Sequence, residues 1–343
     1  MYETFRIGVW VTKVKLNKLR IDQFMEFLKP HNIEIAIIAD DFCQLLPEID
    51  ISKIDFLLYK LSDSILTAKS VEEIWKMVRD FCAKHPAIDL FDDVEMSWTL
   101  LNRIKTNELI IRTCRELGCI VNCFPSVEAK SSSVQQDLSD FVASHDLKYP
   151  LICKPMLCSG ASEAHRMTLV FTEMQLVKYL QSNPQAEVSI QRFINHDSCL
   201  IKVYVIGTHI FICQRPSVKN FHPSSYPEVY LNFLTPEVSK PNSTSDLIGE
   251  RTKVNVDKSV MKKLVHEFVQ LTQLSLFGMD LIMCRDTRNY YVIDVNHFPG
   301  YEDLFRNYPV EYVFEMFLSL FRRARDNTLF PINIEEFHVH EVS

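Results

Sequence analysis

Two aspartates and an asparagine near the C-terminal end of the chain have the types and spacing of metal ligands. Residues 276–284 and 290–296 are predicted strands joined by a polar turn, which together predict a β-hairpin. Reflection about the middle of the turn places Asp280 opposite Asp294, and Asn296 shares the face of Asp294 because strand side chains alternate. Directly opposed carboxylates destabilise a sheet unless a cation lies between them. These hard oxygen donors suit Mg²⁺, which completes its coordination with phosphate oxygens and water.

The acidic hairpin is also compatible with a purely structural role. The acids could belong to an ordinary polar turn, or they could pair with arginine side chains. A register shift of one residue would also separate Asp280 from Asp294. The hairpin therefore predicts a magnesium site and leaves a structural role for the same acids as the alternative.

A basic segment near the N-terminus is a second candidate site. Residues 6–12 and 33–39 are predicted strands, and residues 21–28 have helical apolar spacing, so the chain opens with a βαβ unit. Open α/β sheets bind ligands where this first loop lies, so a polyanion site is one interpretation and a solvated lysine face is the other. The loop between the first strand and the helix contains Lys13, Lys15, Lys18 and Arg20.

The distribution of glycine restricts how a nucleotide could be held. The chain has 7 glycines in 343 residues, and no two of them lie within three residues of each other. Neither the dinucleotide-binding glycine motif nor a Walker A loop can therefore be written. The predicted strands 151–157 and 165–171 flank a loop of small residues that could cover phosphates with backbone amides, although it contains a single glycine.

The composition is that of a folded globular protein. With 47% hydrophobic and 24% charged residues the chain is neither disordered nor fibrous, and its length suggests two or three domains. The net charge of −7 disfavours a general nucleic-acid surface, while local basic clusters can still bind a small polyanion. No apolar run approaches 18 residues, so no membrane insertion is expected. The 10 cysteines form no Cys-x-x-Cys pair, which predicts reduced thiols and a cytoplasmic, and also nuclear, location.

The rest of the pattern predicts mixed strands and helices, an α/β or α+β fold. Helices are predicted from Ser70, where Glu73 completes a capping box, after Thr106, and from Asp257. The further predicted strands are residues 55–61, 189–194, 201–206 and 209–215.

Six short motifs between residues 152 and 302 are specific in combination rather than singly. They are Ile152-Cys-Lys-Pro, Gln191-Arg-Phe-Ile-Asn-His, Ile201-Lys-Val-Tyr-Val, Gln214-Arg-Pro-Ser-Val-Lys-Asn-Phe, Leu276-Phe-Gly-Met-Asp and Asp294-Val-Asn-His-Phe-Pro-Gly-Tyr-Glu. Together they resemble the inositol-tetrakisphosphate 1-kinase family, also called inositol 1,3,4-trisphosphate 5/6-kinases, which has the ATP-grasp fold. The resemblance covers about residues 6–310.

The resemblance implies the domain organisation of that fold, with ATP between the second and third domains. The expected parts are an N-terminal α/β domain with the basic segment (1–97), a small β-rich lid (98–190), a C-terminal domain with the acidic hairpin (191–328) and a tail without an assigned role (329–343).

The resemblance also implies site residues, and its metal ligands are the three that the hairpin reflection selects. The expected ATP contacts are Arg103, Lys154, Gln191, Arg192, Phe193, Ile194, Lys202, Ser217 and Ser239. The expected substrate contacts are Lys15, His165, Lys202, Arg215, Lys219, Asn296 and Gly300. His165 and Lys202 are the catalytic candidates. For the lysines, Arg103 and His165, the alternative is an ordinary surface or satisfied side chain.

The implied activity is transfer of the γ-phosphoryl group of ATP, with Mg²⁺, to a ring hydroxyl of a partly phosphorylated inositol. The expected acceptors are the 1-hydroxyl of inositol 3,4,5,6-tetrakisphosphate and the 5- or 6-hydroxyl of inositol 1,3,4-trisphosphate. A monomer that binds inositol phosphates and ATP but no nucleic acid is expected.

Two positions depart from the family pattern and bear on substrate preference. Ser159 precedes Gly160 where relatives often have His or Asp, and His297 follows Asn296 where many have a small residue. Two alternatives to the kinase also stay open: a catalytically weak inositol phosphate sensor or scaffold, and an ATP-grasp ligase that activates a carboxylate.

Overall fold

A computed structural model describes residues 4–39, 50–60, 71–130, 138–156, 165–184, 187–240, 242–250 and 252–341. Their strands form three sheets. No helix within these ranges has the length and apolar character that crossing a bilayer requires. The predicted helix cap at Ser70, and Ser159 and Gly160 in the small-residue loop, lie outside the described residues.

The N-terminal part of the chain forms the first sheet, and the predicted βαβ unit is confirmed. Helix α2 and strand β2 have the predicted bounds, and all neighbouring strands are parallel in the order β2-β1-β3-β4. The strands are β1 Phe5–Trp10, β2 Ile33–Ala39, β3 Phe56–Tyr59 and β4 Asp89–Phe91. The helices are α1 Lys13–Lys18, α2 Ile21–Leu28, α3 Val71–Lys84 and α4 Val94–Thr99.

The prediction of a basic loop after the first strand is wrong, because residues 13–18 form α1. The Thr12 hydroxyl accepts a hydrogen bond from the Lys15 amide at 3.3 Å and so caps this helix. The helical turn directs the Lys15 side chain into the interior, where it is 1% exposed, whereas Lys13 and Lys18 stay exposed. The basic residues therefore lie on two faces of a helix rather than along one loop.

The second sheet is a small antiparallel layer in the order β12-β8-β7-β9-β6. Its strands are β6 Val127–Lys130, β7 Leu151–Pro155, β8 Arg166–Val170, β9 Glu187–Arg192 and β12 Leu231–Leu234, and the short helix α8 Thr235–Ser239 directly follows β12. Helices α6 Leu138–Ser144 and α7 Glu173–Ser182 pack on one face, burying Leu176 and Leu180 against Leu151 and Ile190. The predicted pairing of the strands around the small-residue loop is confirmed, since β7 and β8 are antiparallel neighbours.

The third sheet carries the acidic hairpin, in the order β15-β11-β10-β13-β14-β5. Its strands are β5 Val121–Asn122, β10 Cys199–Ile206, β11 His209–Pro216, β13 Leu276–Met283, β14 Tyr290–His297 and β15 His338–Glu341. Helices α5 Arg103–Arg115 and α9 Lys258–Thr272 cover one face. Helix α11 Val310–Arg325, which follows α10 Glu302–Asn307, covers the other face of the third sheet together with the first sheet.

The sheets cross the domain boundaries expected from the sequence. Strand β5 belongs to the expected lid segment but pairs with β14 of the third sheet. Strand β12 belongs to the expected C-terminal domain but pairs with β8 of the second sheet. Strand β15 belongs to the expected tail, yet it pairs in parallel with β11. Each of these short strands pairs with one much earlier or later in the chain, which local sequence patterns do not indicate.

The hairpin has the predicted register where the acids lie. Asp280 pairs directly with Asp294, and Gly278 pairs with Asn296. Towards the turn a bulge shifts the pairing, so that Leu281 pairs with Val292 and Ile293 is the extra residue. Reflection about the middle of the turn is therefore correct for the acidic half of the hairpin only.

Histidines of the C-terminal strand pack against β11. His209 pairs in register with His338, and its Nδ1 lies 3.3 Å from Nε2 of His340. The His340 ring stacks on Phe211, with 4.6 Å between centroids, and its Nδ1 lies 2.9 Å from the Tyr312 hydroxyl. Burial, together with the two neighbouring histidines, lowers the pKa of His209 to about 4. The native fold therefore favours a neutral His209.

This cluster should make the protein less stable in mild acid. The pKa of His209 rises from about 4 to about 6.5 on unfolding, so the unfolded chain binds more protons in that interval and stability falls as the pH falls through it. Between pH 7 and pH 5 the loss should be roughly 1–2 kcal/mol. In urea unfolding at the two pH values, His209→Gln should lose much less stability between pH 7 and pH 5 than wild type does. His145→Gln, a control at an exposed histidine, should lose as much as wild type. Equal pH slopes for wild type and His209→Gln would contradict this.

Candidate active site

A cavity lies between the second and third sheets, and both sheets contribute apolar side chains to its walls. Ile152, Met167 and Phe233 line it from the second sheet, and Leu200, Ile282 and Ile293 from the third. Two apolar walls contributed by facing sheets form a slot suited to a flat ring system, with polar groups at its rim to fix orientation.

The inner end of the cavity is cationic. Lys154 on β7 is 7% exposed, and its Nζ donates to the Ile293 carbonyl at 3.1 Å. Arg103 is also 7% exposed; its Nε donates to the Pro155 carbonyl at 2.8 Å, and its Nη1 lies 3.4 Å from Asp294 Oδ1. Both side chains line the cavity. Lys154 reaches the hairpin from the second sheet, and Arg103 reaches it from α5.

Arg103 occupies the first residue of α5, which differs from the predicted start of this helix after Thr106. The Asn102 side chain accepts hydrogen bonds from the Ile104 and Lys105 amides and so begins the helix earlier. The Arg103 amide in turn donates to the Met156 carbonyl at 3.2 Å. The cap therefore positions the guanidinium beside β7.

The predicted metal ligands lie together at this cationic end. The Asp280 and Asp294 side chains belong to a directly opposed cross-strand pair, and the Asn296 amide lies 3.3 Å from Asp294 Oδ2. Both acids also have cationic partners: Lys202 Nζ lies 2.8 Å from Asp280 Oδ1, and Arg103 contacts Asp294. The pairing with basic side chains that the sequence left as an alternative is thus present.

The chemistry of this donor set fits Mg²⁺. It offers two carboxylates and an amide, and no thiolate or imidazole, which favours a hard cation over zinc. Within the described ranges no group of three or more His, Cys, Asp or Glu side chains could hold a metal ion. A cation here would therefore need oxygen ligands from a bound phosphate or from water, as Mg²⁺ commonly has.

The predicted ATP contacts largely surround this one cavity. Lys202 is paired with Asp280 in the same hairpin region. The cavity is lined by the other eight predicted contacts: Arg103, Lys154, Gln191, Arg192, Phe193, Ile194, Ser217 and Ser239. Gln191 Nε2 donates to the Phe124 carbonyl at 3.2 Å. Arg192 lies 5.4 Å from the Phe124 ring centroid.

The acidic hairpin and all the cavity-lining residues except Arg103 lie in a segment that one family model matches. A family model described as the inositol 1,3,4-trisphosphate 5/6-kinase ATP-grasp domain matches residues 122–318. The chain belongs to this family. Inositol-tetrakisphosphate 1-kinase of Danio rerio is 30% identical to it over 307 residues, covering 87% of this chain and 74% of that protein. The protein of that name from Xenopus laevis is 29% identical, with the same coverage.

Solved structures show the same fold at low sequence identity. D-cycloserine synthetase DcsG aligns with a TM-score of 0.57 and 12% identity, covering 93% of this chain and 99% of that chain. D-alanine–D-alanine ligase from Bacillus anthracis complexed with ATP aligns with a TM-score of 0.53 and 15% identity, covering 95% and 99%. The protein therefore has the ATP-grasp fold, in which the second and third sheets are the two layers around the cavity.

Lys15 of this inositol kinase family member is more buried than a surface phosphate ligand would be. Its Nζ donates to the Phe298 carbonyl at 2.8 Å and to the Pro299 carbonyl, and it lies 3.9 Å from the Phe298 ring centroid. Lys60 donates to the same Phe298 carbonyl at 2.8 Å. Two lysines of the N-terminal part thus hold the segment that directly follows Asn296.

Arg215 is held by a buried acid that the sequence motifs did not single out. Asp303 is 3% exposed and lies 2.6 Å from Arg215 Nη2, while the Tyr204 hydroxyl donates to it at 2.8 Å. Arg306 on the surface contacts the other Asp303 oxygen at 3.2 Å. The only sequence signal for Asp303 is its position just after the Pro-Gly-Tyr-Glu segment.

The other substrate-side candidates, His165, Lys219 and Gly300, are not among the residues that line the cavity. His165 is exposed at the start of β8, with Nδ1 3.4 Å from the Thr235 hydroxyl; desolvation and then the Arg103 charge lower its pKa. Lys219 donates to the Asp246 carbonyl at 3.1 Å. A Cβ at Gly300 would meet the Glu302 carboxylate, the flexible end of that side chain, which would have to move.

His297 does not join the metal ligands. Its ring is 8% exposed and its Nε2 lies 3.5 Å from Asp92 Oδ2, against the Tyr59 ring. Strand alternation directs it to the face opposite Asn296. Burial lowers its pKa, which favours the neutral ring. The His297 ring is therefore turned towards the first sheet, although it directly follows Asn296 in the chain.

Removing the Asp303 charge should destabilise the protein strongly. Asp303→Asn leaves the guanidinium of Arg215 half-buried without its counter-charge, which should lower the free energy of unfolding by about 3–5 kcal/mol. Arg306→Met removes the exposed partner of the same acid and should cost less than about 1 kcal/mol. Urea unfolding of the three proteins tests this, and similar losses for both variants would contradict it.

Proposed function

We propose that this protein is an ATP- and Mg²⁺-dependent inositol polyphosphate kinase that transfers the γ-phosphoryl group to a ring hydroxyl of an inositol tris- or tetrakisphosphate. The proposed acceptors are inositol 3,4,5,6-tetrakisphosphate at the 1-hydroxyl and inositol 1,3,4-trisphosphate at the 5- or 6-hydroxyl. Membership of the family supports the reaction class. The observation that carries the proposal is the continuity between an apolar slot, two buried cations and the opposed acids of the hairpin.

The slot and its cationic end would fix the orientation of bound ATP. Adenine would lie between the apolar walls, beside the backbone of residues 191–194, and the phosphates would extend towards Lys154 and Arg103. Arg103 can present two parallel donors to phosphate, whereas Lys154 acts as a point charge. Ser217 and Ser239 also line the cavity, and they would contact the nucleoside.

Asp280, Asp294 and Asn296 would hold Mg²⁺. When bound there, the ion would neutralise charge on the transferring phosphates. Lys202 and Arg103 now neutralise the two carboxylates, so both cations are already positioned where phosphate oxygens would enter. The binding of a polyphosphate would let them exchange a carboxylate partner for a phosphate partner.

The acceptor would approach from the side of the first sheet. Lys15, Arg215, Lys219 and Lys202 would contribute positive charge, so a local basic surface can offset the net charge of −7. His165 would orient the acceptor or the transferred group, and Lys202 would balance charge at the reacting phosphate. The loose transition state of phosphoryl transfer needs little activation of the nucleophile, so no obligatory base is assigned.

The second sheet would serve as a lid. Strand β7 contributes Lys154 and β8 begins next to His165. Movement of this sheet would therefore change the positions of both side chains relative to the hairpin. Closure would exclude water and limit ATP hydrolysis. The eight cysteines among the described residues are free, which supports a cytoplasmic or nuclear location, and we propose a monomer.

A panel of acceptors tests the proposed reaction. Phosphoryl transfer from labelled ATP should depend on Mg²⁺ and yield one or a few product isomers among inositol tris-, tetrakis- and hexakisphosphates. Asp294→Asn should lower kcat by at least about 10²-fold, because the donor set loses a charge at the reacting phosphates. Asp286→Asn, on the exposed turn of the same hairpin, should match wild type. Wild-type turnover by folded Asp294→Asn would contradict the metal assignment, and binding without transfer would favour a sensor.

Substitution of Lys15 should change the KM for the acceptor more than the KM for the nucleotide. Lys15→Met keeps the apolar stem but removes the ammonium group beside the segment after Asn296. The KM for the inositol phosphate should rise on the order of tenfold, with a smaller change in the KM for ATP. Lys13→Met, on the exposed face of the same helix, should leave both constants unchanged. An unchanged acceptor KM in Lys15→Met would remove Lys15 from the proposed substrate site.

A further inference from the structure

A buried histidine adjoins the nucleotide slot and has no place in the proposed reaction. His196 follows the segment 191–194, is 3% exposed and lines the cavity. Its Nδ1 lies 2.7 Å from the Ile194 carbonyl, and its Nε2 lies 2.8 Å from the Ser217 hydroxyl. Both ring nitrogens therefore have one protein partner each.

The carbonyl partner decides which ring nitrogen carries the proton. A carbonyl oxygen can only accept a hydrogen bond, so Nδ1 must donate to Ile194. Burial lowers the pKa of His196, which favours the neutral ring with a single N–H. Nε2 is then an acceptor, and the Ser217 hydroxyl must donate to it.

This arrangement leaves Ser217 with one chemical role towards the cavity. A hydroxyl has one hydrogen and two lone pairs. The hydrogen is directed to His196, so the Ser217 oxygen can offer only lone pairs to a bound molecule. A serine that could otherwise donate or accept is thereby restricted to accepting.

The two segments that carry this pair are joined by side-chain amides. Asn195 Nδ2 donates to the Phe221 carbonyl at 2.8 Å, and the Phe221 amide donates back to Asn195 Oδ1 at 2.9 Å. Asn220 Oδ1 accepts from the His196 amide at 2.9 Å. The Ser217 amide donates to the Ser198 carbonyl at 2.9 Å. These bonds hold the separation of His196 and Ser217 independently of any ligand.

We propose that His196 is a positioning residue that makes Ser217 an obligate hydrogen-bond acceptor, and that this acceptor selects the nucleotide by one of its donor groups. Two groups of ATP have the required chemistry: a ribose hydroxyl and the 6-amino group of adenine. The inference rests on the proposed binding of ATP in this cavity. It assigns specificity to a pair of residues rather than to the serine alone.

Direct binding to the full chain tests the proposal apart from phosphoryl transfer. Calorimetric Kd values with Mg²⁺ are compared for ATP, 2′-deoxyATP, 3′-deoxyATP and purine riboside triphosphate, which lacks the amino group. Wild type should bind at least one analogue on the order of fivefold more weakly than ATP, as the loss of one hydrogen bond predicts. The analogue that is discriminated against identifies the donor.

Two variants should reduce this discrimination for different reasons. Ser217→Ala removes the acceptor and should bring the Kd ratio of that analogue to ATP close to one. His196→Leu keeps the Ser217 lone pairs but no longer fixes their direction, so it should lower the same ratio part of the way towards one. His222→Leu, an exposed histidine outside the cavity lining, is the control and should keep the wild-type ratio. A uniform loss of affinity with an unchanged ratio in both variants would show a merely structural role and overturn the proposal.

A spectroscopic measurement covers the case in which His196→Leu is too unstable to study. The ¹⁵N resonances of the imidazole in the wild-type protein report which nitrogen is protonated, and Nδ1–H is expected. Protonation at Nε2 would overturn the proposal. Absence of ATP binding by wild type would instead contradict the proposed function, which keeps the two failures distinct.

Discussion

The opposition of Asp280 and Asp294 across the β13–β14 hairpin is the constraint on which the rest of the site depends. Two carboxylates at directly paired positions repel each other, so the fold must supply positive charge beside them. It does so from two directions: Lys202 comes from the neighbouring strand of the same sheet, and Arg103 comes from the start of α5. Because Arg103 also binds the Pro155 carbonyl, the acids are linked to the second sheet as well.

Charge is therefore balanced locally before any ligand binds. Of the two cations that neutralise the acids, Arg103 lines the cavity end that would receive phosphates, and Lys154 adds a further positive charge there, held by a backbone carbonyl. An acidic protein can in this way present a positive site, since the potential inside a cavity depends on nearby groups far more than on net charge. A metal ion and a polyphosphate together bring compensating charges, which allows the same residues to change partners without leaving a charge unpaired.

The N-terminal part stabilises the site from the opposite side. Lys15 and Lys60 both donate to the carbonyl of Phe298, immediately after the strand that carries Asn296. Asp92 accepts hydrogen bonds from the Ser275 and Leu276 amides at 2.7 and 3.0 Å, at the beginning of the strand that carries Asp280. Both strands of the acidic hairpin are thus held at their outer ends by residues of the first sheet and its connections.

Features that depend on near neighbours in the chain could be predicted from the sequence. The register of Asp280 and Asp294, the bounds of α2 and β2, and the cap of α9 at Asp257 follow from periodicity, turn composition and capping chemistry. The family motifs added the nucleotide residues, and all but Lys202 line one cavity. These signals are local or motif-based, so they are present in the chain before it folds.

Only the tertiary structure decided which partners the buried polar groups have. The ammonium of Lys15 meets carbonyls more than 280 positions away, and Tyr204 and Arg215 meet Asp303 at separations of 99 and 88. The orientation of the Ser217 hydroxyl depends on which nitrogen of His196 faces the Ile194 carbonyl. Residue types at these positions are compatible with surface, core or ligand roles alike. Only the packing that removes water from them, and so requires each donor to find an acceptor, selects one role.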